Sequence, residues 1–347
     1  MQSTIFKAKA NPRWRNFEDE KLLDMRIKDV YLPIEKTGLN PFIKKLYQEL
    51  KAKGVQHFRP HVWFSDEWFT PDGLGGIAIP FFLSHRRLAR LQEKFLYEIE
   101  GGTPRWFMQL LRHECGHAID NAYRLRRKRQ RQKIFGLSTT PYRDYYVPKP
   151  FSRKFVVHLD TFYAQSHPDE DFAETFAVWL NPRSSWRKRY QGWGALKKLQ
   201  YMDELIKSIG HKKPVIRSQR VEEPQQKITT TLREHYKSKQ AYYGLDYPDV
   251  YDVQLFKLFT NNPELAQRMK AATFIRKVRR ESRKAVSPWT GTYQYTINQL
   301  IDEILDRVEE LNLYLRLPFD ESKNQFISML SMVTLEYIHS GRNRMAR

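Results

Sequence analysis

The chain has 347 residues, with 60 Lys and Arg against 39 Asp and Glu, for a formal charge of +21. That length allows two domains of ordinary size, and the cationic excess favours a polyanion, whether nucleic acid, an acidic membrane surface or an acidic protein. The single cysteine, Cys115, excludes an intrachain disulfide, no apolar run is long enough to cross a membrane, and the first residues carry no signal-peptide core, so the expected setting is reducing and cytoplasmic.

Residues 1–55 read as helix in pieces. In "NPFIKKLYQELKAKG" the expected cap is Asn40, with Pro41 as first helical residue and Gly54 as stop. "HFRPHVWFS" and "GGIAIPFFL", two β-branched and aromatic runs separated by "TPDGLGG", read as strands. The second is either an edge strand open to an extended peptide or a plainly buried one. "GGTPRWFMQLLRHECGHAIDNAYRLRRK" reads as one long helix capped by Thr103 with Pro104 first, its Phe107, Leu110, Leu111, Ala118, Ala122 and Leu125 recurring at helical spacing. It leads into Arg124 to Lys133, seven basic residues in ten. Such a run is either a solvated helix end, where cations suit the dipole, or a contact for nucleic acid or another polyanion.

After a loop-rich stretch, "HPDEDFAETFAVWL" marks a second helix, with Pro168 first, Asp169, Glu170 and Asp171 in its first turn, and a stop near Asn181 and Pro182. The polar "RSQRVEEPQQK" then separates two expected domains, 1–225 with a small sheet in an α+β layout and 226–347 mostly helical. In the latter, the basic "MKAATFIRKVRRESRK" is expected to pair with "YTINQLIDEILDRVEELNLYL", a helix acidic on its outer side whose stripe is Ile297, Ile301, Ile304, Val308, Leu311 and Leu315. A final helix follows on Phe326, Leu330, Val333 and Tyr337.

The chemistry sits in "HECGH". Residues four apart share a helix face, so His113 and His117 can offer two imidazoles to one zinc ion. Glu114 lies about 100° round the helix, beside the metal but offset, which suits a base acting on water rather than a ligand. Cys115, about 200° round, faces away. A catalytic zinc takes three protein ligands and keeps one position open. The third can come from "PDEDFAETFA", where Glu170 and Glu174 share a face with Ala173 and Ala177, alanines that would let the second helix pack closely on the first. Spacing leaves open which glutamate ligates. His158 and His167 fall off that face, and Asp120 is either support for the site or a helix-surface acid. The bland reading of the second helix is a solvated acidic face, and the competing reading of the chain is a basic nucleic-acid-associated protein whose zinc site is structural or silent.

"HECGHAID", followed some fifty residues on by "YAQSHPDEDFAE", resembles the gluzincin zinc metallopeptidases, and most nearly a bacterial family of zinc-binding metallopeptidases. The catalytic domain of anthrax lethal factor carries a similar arrangement. Weaker likeness is found in "GGIAIPFFLSHRRL" and "YYGLDYPDVYDVQLF". The resemblance implies a zincin-like fold for 1–225 and hydrolysis of protein or peptide substrates. It further implies His113, His117 and Glu170 as zinc ligands, Glu114 as general base, and Tyr163 as a tyrosine assisting the transition state. Glu174 would be an acid orienting a ligand histidine through a hydrogen bond.

Overall fold

The structure is a computed structural model describing residues 4–6, 11–142, 146, 149, 151–242 and 252–339. Much of "YYGLDYPDVYDVQLF", residues 243–251, lies outside them. The described residues form two compact units, one from Met1–Phe95, Ile99–Arg143 and Pro148–Lys237, the other from Leu96–Glu98, Asp144–Val147 and Ser238–Arg347.

In the first unit the order is α1 (Asp19–Leu23), α2 (Asn40–Ala52), β1 (His61–Ser65), β2 (Gly76–Pro80), α3 (Arg86–Leu96, all but its last residue), α4 (Pro104–Ala122), α5 (Arg129–Phe135), α6 (Pro168–Leu180), α7 (Trp186–Arg189), α8 (Ala195–Ile209) and the first half of α9 (Leu232–Tyr242), up to Lys237, with short 3-10 turns between. β1 and β2 pair in parallel from His61 opposite Gly76 to Ser65 opposite Pro80. β2 is buried along its whole length. Its Ala78 N–H donates to the Phe69 carbonyl at 2.8 Å, so the segment after β1 covers its other side. The strand is buried, as its unbroken apolar run suits, and that one bridge is the pairing described on its far side.

Helix α4 is the axis of the unit. Thr103 accepts from Trp106 N and Pro104 opens the helix, as its sequence predicts. The far end differs: the helix stops at Ala122, and Arg124 takes a left-handed φ of 52°. Leu125, which continues the helical spacing, is instead buried from a separate 3-10 turn. The basic run therefore straddles a bend, and Arg131 within it is fully buried. At α2 the helix begins with Asn40, Leu39 occupies the cap position without a side-chain bond, and the Thr37 hydroxyl accepts from Leu39 N at 3.3 Å. Glu49 of α2 grips Arg112 of α4 through two bonds of 2.8 Å in the interior. Residues 226–237 stay with this unit rather than joining the next: Ile27 and Lys28 N–H groups donate to the Thr230 and Ile228 carbonyls, and the Gln225 amide donates to Ile27 O.

Buried in this unit, His235 of α9 packs edge-on against Phe81 at 5.3 Å, and burial pushes its imidazole down to about 4. The unfolded chain takes up that proton near pH 6.5, its ordinary value. The stabilisation is therefore complete above pH 6.5 and is lost as pH falls toward 4. Between pH 7 and pH 5 the loss is about 2 kcal/mol. Urea titrations at those two pH values should show His235→Leu losing less stability on acidification than wild type by about that amount. Equal losses would contradict the burial argument.

The second unit contains α10 (Asp252–Leu258), β3 (Phe259–Thr260), α11 (Ala271–Thr290), α12 (Gln294–Glu310), β4 (Tyr314–Leu315) and α13 (Phe319–His339). The expected pairing of a basic with an acidic helix is present: Arg276 meets Glu309, and Arg279 meets Asp302. Ile297, Ile301, Ile304 and Val308 are buried with Phe326, Leu330 and Val333 of α13. The stripe does not continue as helix to Leu315. Asn312 turns left-handed (φ 48°), and Tyr314 and Leu315 pair antiparallel with β3, so Leu315 reaches the same core from a strand.

Candidate metal centre

Helices α4 and α6 cross in close contact because neither carries bulk at the crossing. A Cβ on Gly116 would lie 2.7 Å from Ala173 Cα and 3.0 Å from its carbonyl oxygen. Only glycine fits there, and Ala173 is the small residue facing it. This approach brings the two glutamates of α6 against the histidines of α4.

Among the described residues, one group of His, Cys, Asp and Glu side chains converges tightly enough to hold a metal ion: His113, His117 and Glu170. Nε2 of His113 lies 3.0 Å from Glu170 Oε2, Nε2 of His117 lies 3.2 Å from the same oxygen, and the two Nε2 atoms are 3.1 Å apart. Ligands 2.0–2.1 Å from a tetrahedral zinc sit about 3.3 Å from one another. The triangle is therefore close to the size that an ion bound to one of its faces requires.

Proton accounting leads to the same place. His113 Nδ1 lies 2.8 Å from Glu174 Oε1, while Glu174 Oε2 accepts from Leu159 N at 2.9 Å. A carboxylate can only accept, so His113 carries a proton on Nδ1, and its other nitrogen, Nε2, is the one that faces Glu170. Two imidazole nitrogens and a carboxylate oxygen then face one point where only a cation or added protons make them compatible. Burial opposes charge on His113, yet Glu170 and Glu174 lift it well above its ordinary value. Burial likewise opposes ionisation of Glu170, yet His117 and His113 hold it well below the usual carboxylate range. The cluster is built to hold positive charge.

Around it, the α6 acids are individually partnered. Asp169 meets Arg131, Asp171 meets Lys198, and Glu174 is taken by His113 and Leu159. Glu170 alone of the four turns an oxygen to both histidines. Glu174 lies on the Nδ1 side of His113, away from the convergence point. Glu114 is buried, and the Thr70 hydroxyl donates to its Oε2 at 2.9 Å. Tyr163 is half-buried with its ring 5.7 Å from that of His113, and Phe162 just before it has a left-handed φ of 57°. Cys115 is buried and outside the cluster, its thiol pushed up by burial.

The histidines off the helix face have other work. His158 Nε2 pairs with the Gln109 carbonyl at 3.0 Å while the Gln109 amide donates to the His158 carbonyl. His167 caps α6: its Nδ1 accepts from Asp169 N, and its Nε2 donates to Thr140 O at 2.7 Å. Asp120 is not a surface acid: it is fully buried and pairs with Arg131 at 3.0 Å, and its charge is also felt by His117.

Two neighbours of the site have no signal in the motifs. Thr70 reaches Glu114 from the loop after β1, and Tyr142, from the loop before α6, donates to Glu170 Oε1 at 2.8 Å. Nothing in their local spacing marks them; only the folded contact does.

Residues 101–238 match the family described as "putative zinc-binding metallo-peptidase". The match takes in both site helices and runs to residue 238, one past the last residue of the first unit. No curated protein and no solved structure matches the chain. No helix among the described residues is long and apolar enough to cross a membrane.

Proposed function

We propose that the chain is a zinc-dependent metallopeptidase of the gluzincin type, with His113, His117 and Glu170 as ligands. The observation that carries this reading is the triangle of three acceptor atoms 3.0–3.2 Å apart on two buried helices. The family match over residues 101–238 supports it at a coarser level. When bound, zinc supplies a Lewis acid that polarises the scissile carbonyl and lowers the pKa of the attacking water.

The chain's own residues account for the rest. Glu114, held through its Oε2 by Thr70, takes the water's proton and passes it to the leaving amine. Tyr163 offers its hydroxyl to the developing oxyanion. Glu174 fixes the orientation of His113 through Nδ1, so that Nε2 is the nitrogen turned to the metal position. The substrate is a protein or peptide, and a cytoplasmic setting belongs to this reading on the strength of the single cysteine.

Elemental analysis of the purified protein tests the assignment. About one zinc per chain is expected in wild type and little in His113→Ala, with circular dichroism showing both folded. A wild type without zinc even after supplementation would overturn the proposal.

A polyanion-binding role through Arg124 to Lys133 stands as a second reading, because Arg124, Arg127, Lys128, Arg129 and Lys133 are exposed. It is narrower than the sequence suggests, since Arg131 is buried and Arg126 is engaged with Asp72, Asp120 and Asp169. Binding to duplex DNA that weakens steeply with salt, and more weakly still after charge reversal of the exposed five, is its signature.

A further inference from the structure

Glu170 presents two oxygens, and the structure gives them different partners. Oε2 faces both histidines, at 3.0 and 3.2 Å; Oε1 accepts the Tyr142 hydroxyl at 2.8 Å. A ligand carboxylate left to itself can swing both oxygens onto a metal, and the second would take the position that a catalytic zinc keeps open. A hydrogen bond on Oε1 opposes that swing.

The phenol is not held there by its own loop alone. Its ring stacks on the His167 imidazole, with centroids 3.7 Å apart and planes 16° from parallel. His167 is pinned through both ring nitrogens, to Asp169 N and to Thr140 O. It also caps the helix whose third residue is Glu170. The phenol is thus referenced to the helix that carries the ligand, so donor and acceptor keep their relation if the loop moves. The residue is 57% exposed, so it contributes little to the core.

We infer that Tyr142 is a positioning residue that holds Glu170 to one-oxygen coordination by occupying its Oε1, keeping the fourth metal position free for water. The inference rests on the metal reading above, and its test separates the two.

Full-length wild type, Tyr142→Phe and Tyr142→Ala are loaded with cobalt(II) or zinc. Zinc affinity is read by competition with a chromogenic chelator, and coordination number from the intensity of the cobalt visible bands. Tyr142→Phe keeps the stack on His167 and removes only the hydroxyl. It is expected to bind zinc 10–100-fold more weakly and to show weaker cobalt bands as Glu170 closes onto the metal with both oxygens. Tyr142→Ala is expected to lose at least as much. A Tyr142→Phe protein with wild-type affinity and spectrum would overturn the inference, and a fall in hydrolysis alone would then assign the hydroxyl to substrate instead. A wild type that takes up neither metal would overturn the metal reading and this inference with it.

Discussion

Glu114→Gln is expected to retain about one zinc per chain and to hydrolyse protein substrate about 10²–10⁴-fold more slowly than wild type. Retention follows from geometry, because the triangle that fits a metal is made of His113, His117 and Glu170, without Glu114. The substitution is also gentle. Glu114 is buried and receives the Thr70 hydroxyl on Oε2, a bond that a glutamine carbonyl accepts equally well. What glutamine cannot do is take a proton from water and deliver it to a leaving amine. A loss of that size corresponds to about 3–5 kcal/mol in the barrier. The measurement is peptide release from an unfolded protein pool, followed by mass spectrometry, with both proteins at equal zinc content. Equal rates would mean that any hydrolysis seen is not performed by this site. A variant that lost its zinc would instead show Glu114 to be part of the metal's support.

The motif-bearing helices were legible because their signals are local. Thr103 and Pro104 open α4, Pro168 opens α6, and i,i+4 spacing alone puts His113 beside His117 and Glu170 beside Glu174. Spacing could not choose between the two glutamates, since both lie on the inward face. The choice depends on where His113 Nδ1 points, a tertiary fact: Glu174 meets that nitrogen, and Glu170 meets the other. Ala173 was legible as a close-packing residue, but not that its counterpart would be Gly116 within the motif itself.

What was illegible came from bends and from distant partners. Leu125 and Leu315 both continue a helical stripe, yet each reaches the core after the helix has ended, beyond a left-handed residue at Arg124 or Asn312. An apolar stripe reports which residues are buried and is silent on whether one helix buries them all. Thr70 and Tyr142 lie in loops 44 and 28 residues from the glutamates they hold, with no periodicity to announce them. The basic run was the most misleading feature, because composition cannot distinguish a solvated arginine from one enclosed by carboxylates that the chain supplies elsewhere.

Arg131 carries the largest expected effect on stability. It is fully buried and lies between Asp120 of α4, one turn beyond His117, and Asp169 of α6, the residue before Glu170, with Asp120 at 3.0 Å. Arg131→Met preserves the length of the side chain and removes its charge, leaving two buried carboxylates facing each other. Removing one partner of a buried ionic group costs about 3–5 kcal/mol. The lower end is expected here, because Arg126 remains 3.6 Å from Asp120 and 3.5 Å from Asp169. Acid should reduce the deficit. Burial raises Asp120 in the wild type while Arg131 and Arg126 oppose it, and the same two arginines, after the Ser138 hydroxyl, hold Asp169 low against its burial. Without Arg131 both folded-state values move up. A carboxyl raised above its unfolded value favours the folded chain below that value and disfavours it as pH rises. The deficit of Arg131→Met measured in urea at fixed zinc should therefore be greater at pH 7 than at pH 4. Adding Asp120→Asn and Asp169→Asn should recover much of it, a non-additivity that separate surface charges do not produce. A change within about 0.5 kcal/mol would mark Arg131 as an ordinary surface cation and return the whole run from Arg124 to Lys133 to the polyanion reading.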